Sequence, residues 1–217
     1  MLPSFDYQSR GDEFVHNIII FVYKQLDGWR DNPRLPTSKT EPALNPDLPK
    51  YLNACVSKTE LNIQFVHEEP QGNRRSIDVS VSYNDTAKYN EIITVFECKR
   101  LPQTEKNRKD EYVTGHKQIT GGIQRIKLEL HGKRHTVVGI IGYVQKDSCP
   151  EWQVIINNCI DNLCGKPDEN SLIWDTDEHL TEIEYDIAHR KYHGISKHTR
   201  TTVPAVIIHH LWVEMTS

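Results

Sequence analysis

Residues 91–101 read EIITVFECKRL, and this stretch decides the fold. Its first half is a near-continuous apolar run, which is typical of a strand buried on both faces of a sheet. Its second half ends in four polar or ionisable residues, Glu97, Cys98, Lys99 and Arg100. Packing gives no reason for a core strand to finish with an acid and a base two residues apart. This end of the strand is therefore the first candidate for a functional site.

The two segments that precede this strand alternate between apolar and polar residues. Residues 60–69 and 74–83 flank the turn sequence PQGN, and a period of two indicates β-strands. In the second segment Val79 and Val81 face one way, whereas Asp78 faces the other way among serines. The pattern predicts a hairpin with one buried face, followed by a third strand that ends at residue 98.

The remaining segments predict a mixed α/β fold. Five prolines between Pro33 and Pro49 indicate a loop, and the change of period after the third strand indicates a crossover helix, with a Gly121–Gly122 pair that kinks it or allows close packing. Helices are expected at residues 12–27, 47–58, 111–132 and 149–165, and further strands at 136–145, 179–187, 191–200 and 203–215. We expect a single domain over residues 1–217, with a core at about 12–145 and a C-terminal α/β extension at 146–217.

Charge is distributed unevenly along the 217 residues. The formal net charge is −4, yet residues 99–134 hold ten Lys and Arg against four Asp and Glu, and residues 145–188 hold two Lys against eleven acids. A basic region inside an acidic chain suggests a local anionic partner. Solvated faces of opposite sign are the alternative interpretation.

The cysteines and apolar segments indicate a cytoplasmic protein. No signal peptide is recognisable at the start, and the longest apolar stretch near it is too short to cross a bilayer, so no membrane partner is expected. An odd number of cysteines, five, is typical of reduced thiols. Cys149, Cys159 and Cys164 could serve a zinc-stabilised interaction domain, but their spacing is not that of a recognised zinc site.

Strand alternation places Glu97 and Lys99 on one side of the third strand and Cys98 on the other. If the strands pair in hairpin order, Asp78 lies within several ångströms of Glu97. Two adjacent carboxylates repel each other unless a cation sits between them, and Mg²⁺ prefers such oxygens. The arrangement suits metal-dependent hydrolysis of a phosphodiester. The alternative is a Glu–Lys pair at a solvated strand end, with Asp78 an ordinary outward-facing residue.

The segments SIDVSV and ITVFECKRL resemble the core signature of the PD-(D/E)XK nucleases, the restriction-endonuclease-like fold. That family's core runs helix, three antiparallel strands, helix, strand, which matches the order expected for residues 12–145. The resemblance implies that Asp78 and Glu97 bind metal with the backbone carbonyl of Cys98, and that Lys99 is the catalytic lysine. Ile77 stands where the family has proline.

Some family members carry a further acid on the first helix, and Glu13 is the nearest candidate here. A helix N-terminus also favours an acid there, so capping explains Glu13 equally well.

Basic residues around the third strand are candidates for phosphate contact. Arg100 follows Lys99 directly, and HRKYHGISKHTR (residues 189–200) forms a second basic segment. The expected contacts with nucleic acid are Arg100, Lys117, Arg125, Lys127, His198 and Arg200. Ordinary solubility, and structural histidines on a sheet, are the competing interpretations.

The sequence therefore predicts a nuclease that uses Mg²⁺, with Mn²⁺ as a substitute, and that acts on DNA. The resemblance extends by analogy to restriction or defence against phage. The alternative is a non-catalytic subunit of nuclease fold that binds nucleic acid or a partner protein. A protein partner that supplies targeting or activation, and a homo-oligomer, both stay open.

Overall fold

A computed structural model describes residues 10–72, 75–88, 91–102, 109–115, 119–165, 167 and 170–215. The helices and strands follow each other as α1 (Arg10–Arg30), α2 (Glu41–Leu44), α3 (Asp47–Val56), β1 (Ile63–Gly72), β2 (Arg75–Tyr83), β3 (Ile92–Leu101), α4 (Gly122–Lys127), β4 (Val137–Val144), α5 (Cys149–Leu163), β5 (Thr181–Asp186), β6 (Lys191–His198) and β7 (Val206–Glu214). Short 3-10 turns lie at Thr86–Lys88, Asp110–Tyr112 and Thr176–Glu178.

All seven strands lie in one mixed sheet, in the order β1-β2-β3-β4-β7-β6-β5. The strands β1, β2 and β3 form an antiparallel meander, whereas β3 pairs with β4 in parallel and β4 pairs with β7 in parallel. β7 thus lies beside β4, and the antiparallel strands β6 and β5 complete that side of the sheet. The expected C-terminal extension is continuous with the rest of the sheet.

Helices cover both faces of this sheet. On one face α1 and α3 pack against the sheet through a cluster that includes Ile18, Val22 and Leu26, all fully buried. The other face packs against α4 and α5, with Trp152 and Ile156 at its centre. The helical period of apolar residues in α1 and α5 accounts for these two layers. The protein is therefore an α/β structure with a mixed sheet flanked by helices.

The third strand differs from the expectation. β3 continues to Leu101, beyond the predicted end at residue 98, so Lys99 lies within the strand together with Glu97. Both are buried, with relative exposures of 1% and 6%. Parallel pairing with β4 continues past this point, and Lys99 is aligned with Gly142. The alternative of a Glu–Lys pair at a solvated strand end is therefore wrong in its solvation, because both side chains are buried.

The crossover segment also differs. Residues 111–132 were predicted to be mainly helical, yet α4 spans only six residues. Gly121 has an extended backbone (φ −62°, ψ 137°), and a Cβ there would lie 2.4 Å from the Cα of Thr114. After α4, Glu129 and Gly132 both have positive φ, which ends the helix. The glycine pair thus serves close packing.

The hairpin of β1 and β2 is confirmed, with Val81 opposite Phe65. Its polar side is less open than the alternation predicts, because Ser80 and Ser82 are also buried. Within the described part of the chain, no helix combines the length and the hydropathy that a membrane span requires.

Candidate functional site

The carboxylate of Glu97 is held by three basic side chains. Its Oε1 accepts hydrogen bonds from Lys99 Nζ at 3.0 Å and from Arg125 Nη1 at 2.9 Å, and its Oε2 lies 2.7 Å from His131 Nδ1. Burial alone would raise the pKa of Glu97, but Lys99, His131 and Arg125 together hold it well below its usual range. Glu97 is therefore a buried carboxylate that stays ionised.

The pairing of β2 with β3 brings Asp78 beside Glu97. Val79 is aligned with Phe96 in the antiparallel register, so the next pair of positions is Asp78 and Glu97. The carboxylate of Asp78 also accepts a hydrogen bond from the backbone N–H of Cys98 at 2.8 Å. Two acids that lie 19 positions apart in the sequence are thereby neighbours on adjacent strands.

The carboxylate of Asp78 is half-buried and has a raised pKa. Its Oδ1 accepts a hydrogen bond from Asn45 Nδ2 at 3.0 Å. Burial and the nearby charge of Glu97 raise the pKa of Asp78 to about 7, although Lys99 and the N–H of Cys98 act in the opposite direction. The repulsion between two carboxylates is thus only partly relieved by Lys99.

Lys99 contacts Glu97 and is charged. Burial lowers its pKa, but Glu97 and Glu41 outweigh that effect, so the net shift is upward. Asp78, Glu97 and Lys99 are called the carboxylate site below. The ammonium of Lys99 can neutralise an anionic group in this site, and it is poorly suited to accept a proton.

Cys98 presents its backbone to the carboxylate site and its side chain to the opposite face. Its side chain is fully buried in the cluster under α1. Its N–H points to Asp78 on β2, and in a strand the N–H and C=O of one residue point to the same side. The Cys98 carbonyl therefore faces the β2 side, as its predicted metal-binding role requires.

A third acid reaches the site from an element that the sequence did not indicate. Glu41, in α2, accepts a hydrogen bond from the backbone N–H of Arg100 at 2.7 Å. Its charge also acts on Asp78 and Lys99. Glu13, the predicted extra acid, is exposed on α1, whereas the charges that act most strongly on Asp78 are those of Glu97, Lys99 and Glu41.

The oxygen ligands fit a hard divalent cation in their chemistry, but they are not arranged around one. Within the described ranges, no group of three or more His, Cys, Asp or Glu side chains is placed to hold a metal ion. Glu97 is occupied by cations, whereas Asp78 accepts its hydrogen bonds from neutral donors. A cation bound beside Asp78 would favour the ionised carboxylate and so lower its raised pKa. The carboxylates of Asp78, Glu97 and Glu41 are therefore suitable ligands for a divalent cation by residue type.

The residues predicted to contact nucleic acid lie in different environments. Arg125 contacts Glu97 and keeps 28% of its side chain exposed. Arg200 donates to the backbone oxygens of Pro204, Gly132 and Lys133. Arg100 is half-buried, and Lys117 lies outside the described residues.

Lys127 and His198 are in the interior, so the prediction that they contact phosphates is wrong. Lys127 is 1% exposed and pairs with Glu178 at 2.5 Å, and His198 is fully buried. A buried charge needs a partner, and Glu178 lies 51 positions away from Lys127 in the sequence. The structural interpretation of His198 agrees with this placement.

His198 belongs to a continuous line of buried hydrogen-bonding groups beneath α4 and α5. Ser196 Oγ lies 2.8 Å from His198 Nε2 and 2.7 Å from His210 Nε2, and Tyr112 OH lies 2.7 Å from His210 Nδ1. We call this line the histidine network; its members are Tyr112, His210, Ser196, His198, Glu178 and Lys127. None of them is more than 4% exposed, which makes it a structural feature of the core.

No family model, no curated protein and no solved structure matches this chain.

Proposed function

We propose that the protein is a Mg²⁺-dependent nuclease of the PD-(D/E)XK type that hydrolyses phosphodiester bonds in DNA. The single observation that supports this most strongly is the pairing of Asp78 and Glu97 on adjacent strands with Lys99 beside them. Burial and the nearby charge of Glu97 raise the pKa of Asp78, and a cation bound beside it would offset both causes, which supports a metal site.

The order of elements supports the same proposal. The chain runs from α1 through the antiparallel strands β1, β2 and β3, then through α4 to the parallel strand β4. This is the order of the family core that the motif implies. A restriction-endonuclease-like fold is therefore part of the proposal, and a role in restriction or phage defence follows from it by analogy only.

Each residue of the site has a role in this mechanism. Asp78 and Glu97, with the Cys98 carbonyl and Glu41, would hold the cation, for which Mn²⁺ could substitute. The cation would supply neutralisation of phosphate charge and a more acidic water. Lys99 stays protonated, so its ammonium would neutralise charge that develops on the phosphate oxygens.

A second candidate function is favoured by one observation. Glu97 already has two cationic partners, Lys99 and Arg125, and the imidazole of His131, which is the arrangement expected of a structural ion cluster. A non-catalytic subunit that binds nucleic acid or a partner protein would retain the sheet without needing a metal.

Cleavage assays separate these candidates. Plasmid, linear DNA and RNA are incubated with the purified protein and Mg²⁺ or Mn²⁺. We expect Lys99→Ala and Asp78→Ala each to lower the cleavage rate by about 10²–10³-fold, the usual cost of losing one transition-state stabiliser. Lys133→Ala is the matched control, because Lys133 is 55% exposed and pairs only with Glu129 among the ion pairs described.

Two outcomes would contradict the proposal. Cleavage that persists in both variants would show that the carboxylate site is not the active site. Absence of cleavage of every substrate, together with absence of metal binding by calorimetry, would favour the non-catalytic subunit.

A further inference from the structure

We propose that Arg125 takes the cation's place on Glu97 in the resting protein, and that a polyanionic substrate frees Glu97 by drawing Arg125 away. Metal and substrate would then bind cooperatively. This inference rests on the proposed function, because it names how the same site is controlled.

The contacts of Glu97 are the first step of the argument. Arg125 Nη1 and Lys99 Nζ both lie about 3 Å from the same oxygen, Oε1, while His131 is on Oε2. A divalent cation at Oε1 would therefore approach two positive groups at close range, where charge repulsion is strong. One of the two must move before the cation can bind.

Exposure identifies which one moves. The side chains of Lys99 and His131 are 7% and 3% exposed, whereas that of Arg125 is 28% exposed. Lys99 is also fixed within β3, next to Gly122 of α4, where a Cβ would lie 3.4 Å from Lys99 Cγ. Of these three side chains, Arg125 is thus the one that can turn towards solvent at little cost in buried charge.

The remaining contact of Arg125 is weak enough to be exchanged. Its Nε donates to the backbone oxygen of Ile119 at 3.2 Å, which is one neutral hydrogen bond. A phosphate diester offers a planar guanidinium a charged, bidentate partner in exchange for Glu97. A nucleic acid therefore supplies the alternative partner that solvent alone does not.

The energetic consequence is reciprocal coupling. If a polyanion lowers the cost of removing Arg125 from Glu97, it raises the affinity for the divalent cation, and the cation raises the affinity for the polyanion by the same factor. Removal of the Arg125 charge should produce the high cation affinity without any polyanion.

Calorimetric titration with Mn²⁺, alone and with a short DNA duplex, tests this coupling. In the wild type we expect DNA to tighten Mn²⁺ binding about tenfold, within the usual range of coupling between sites. Arg125→Ala should bind Mn²⁺ about tenfold more tightly than the wild type without DNA, and DNA should add little further. Arg125→Gln removes the charge but keeps a hydrogen-bond donor, so it decides the outcome if the alanine variant does not fold.

Arg134→Ala is the matched control, because it removes one positive charge from an exposed residue that is not among the groups contacting Glu97. It should leave both the Mn²⁺ affinity and the DNA effect as in the wild type. Equal or weaker Mn²⁺ binding in both Arg125 variants, or absence of Mn²⁺ binding in every protein, overturns the inference.

The same titrations distinguish failure of the inference from failure of the proposed function. Tighter Mn²⁺ binding in the Arg125 variants with no cleavage by any protein supports the inference and counts against the nuclease. Cleavage by the wild type with unchanged Mn²⁺ binding in the variants overturns the inference and leaves the nuclease in place.

Discussion

The carboxylate site and the histidine network are two buried polar regions of one sheet, and they balance their charges in opposite ways. In the carboxylate site two acids repel each other, and the pKa of Asp78 is raised to about 7. In the histidine network the imidazoles are held neutral, and the one carboxylate, Glu178, has a pKa lowered to about 2, because His198 and Lys127 outweigh the effect of burial. A carboxylate with cationic partners stabilises a fold, whereas carboxylates that repel each other are characteristic of sites that bind something.

The hydrogen bonds of the histidine network run in one direction. Trp212 Nε1 can only donate, and it does so to Tyr112 OH at 2.9 Å. The Tyr112 hydroxyl can then donate to His210 Nδ1, which leaves His210 Nε2–H to donate to Ser196 Oγ. This assignment fixes the tautomer of His210.

The direction continues to an acid. Ser196 donates to His198 Nε2, so the proton of His198 is on Nδ1, which faces Glu178 Oε2 at 3.4 Å. Glu178 Oε1 then accepts from Lys127. From Trp212 to His198 every step has one donor and one acceptor while both histidines are neutral, whereas His198 Nδ1 and Glu178 Oε2, at 3.4 Å, are outside hydrogen-bond geometry.

Acid is accordingly expected to have the largest effect on stability. Burial lowers the pKa of His193 to about 4 and also lowers the pKa values of His198, His209 and His210. Their unfolded pKa is about 6.5, so below that pH the unfolded state binds more protons. The free energy of unfolding should therefore fall as pH decreases from about 6.5 to about 4, by up to about 1.4 kcal/mol per pH unit for each histidine.

Urea unfolding across this pH range measures the effect. His210→Gln should lower the pH dependence by up to one proton, whereas His189→Gln, at an exposed histidine paired with Asp186, should change it less. A stability that is flat between these pH values would show that the histidines are not held neutral.

The next largest effect is expected from the ion pair that ends the histidine network. Lys127→Met leaves the Glu178 carboxylate buried without its main cation, which should lower the free energy of unfolding by about 3–5 kcal/mol. Lys109→Met is the matched control, because the Lys109–Asp147 pair lies at the surface with side chains 40% and 25% exposed. Its expected cost is about 0–1 kcal/mol. Equal costs in the two variants would refute the structural role of Lys127.

Lys127 also shows what the sequence could and could not predict. The helix at residues 12–27, the hairpin and the two core strands joined by a crossover were predictable, because hydrophobic period is a local signal. The proximity of Asp78 to Glu97 was predictable from the alternation of side chains along the two strands. Burial of Lys127 was not predictable, because it depends on Glu178, a partner distant in the sequence.

The contacts of His131 and Glu41 with the site were not predicted, for the same reason. His131 lies 34 positions from Glu97, and Glu41 lies 59 positions from Arg100 in a proline-rich segment without periodicity. The glycine pair at residues 121–122 was recognised, but its effect on the length of α4 depends on the contact with Thr114. Tertiary contacts decide such features, and no local pattern carries them.

The smallest of these effects is expected at Asp78, and its sign is opposite. The folded pKa of Asp78, about 7, lies above the unfolded value of about 3.9, so its contribution to stability is present below that value and is lost as pH rises through about 7. Asp78→Asn should therefore raise the free energy of unfolding at pH 8, in chelator, by about 1–3 kcal/mol, and by little at pH 4.

The surroundings of Asp78 allow this replacement. The new amide oxygen can accept from the N–H of Cys98, and if the amide of Asn45 turns over, its Oδ1, which is buried without a hydrogen-bond partner, can accept from the new amide nitrogen. Asp177→Asn, at an exposed acid, is the control and should change little at either pH. A variant that loses stability at pH 8 would show that Asp78 stabilises the fold as the histidine network does. A variant that gains stability at pH 8 would show that the charge of Asp78 destabilises the fold, as expected of a residue that serves binding.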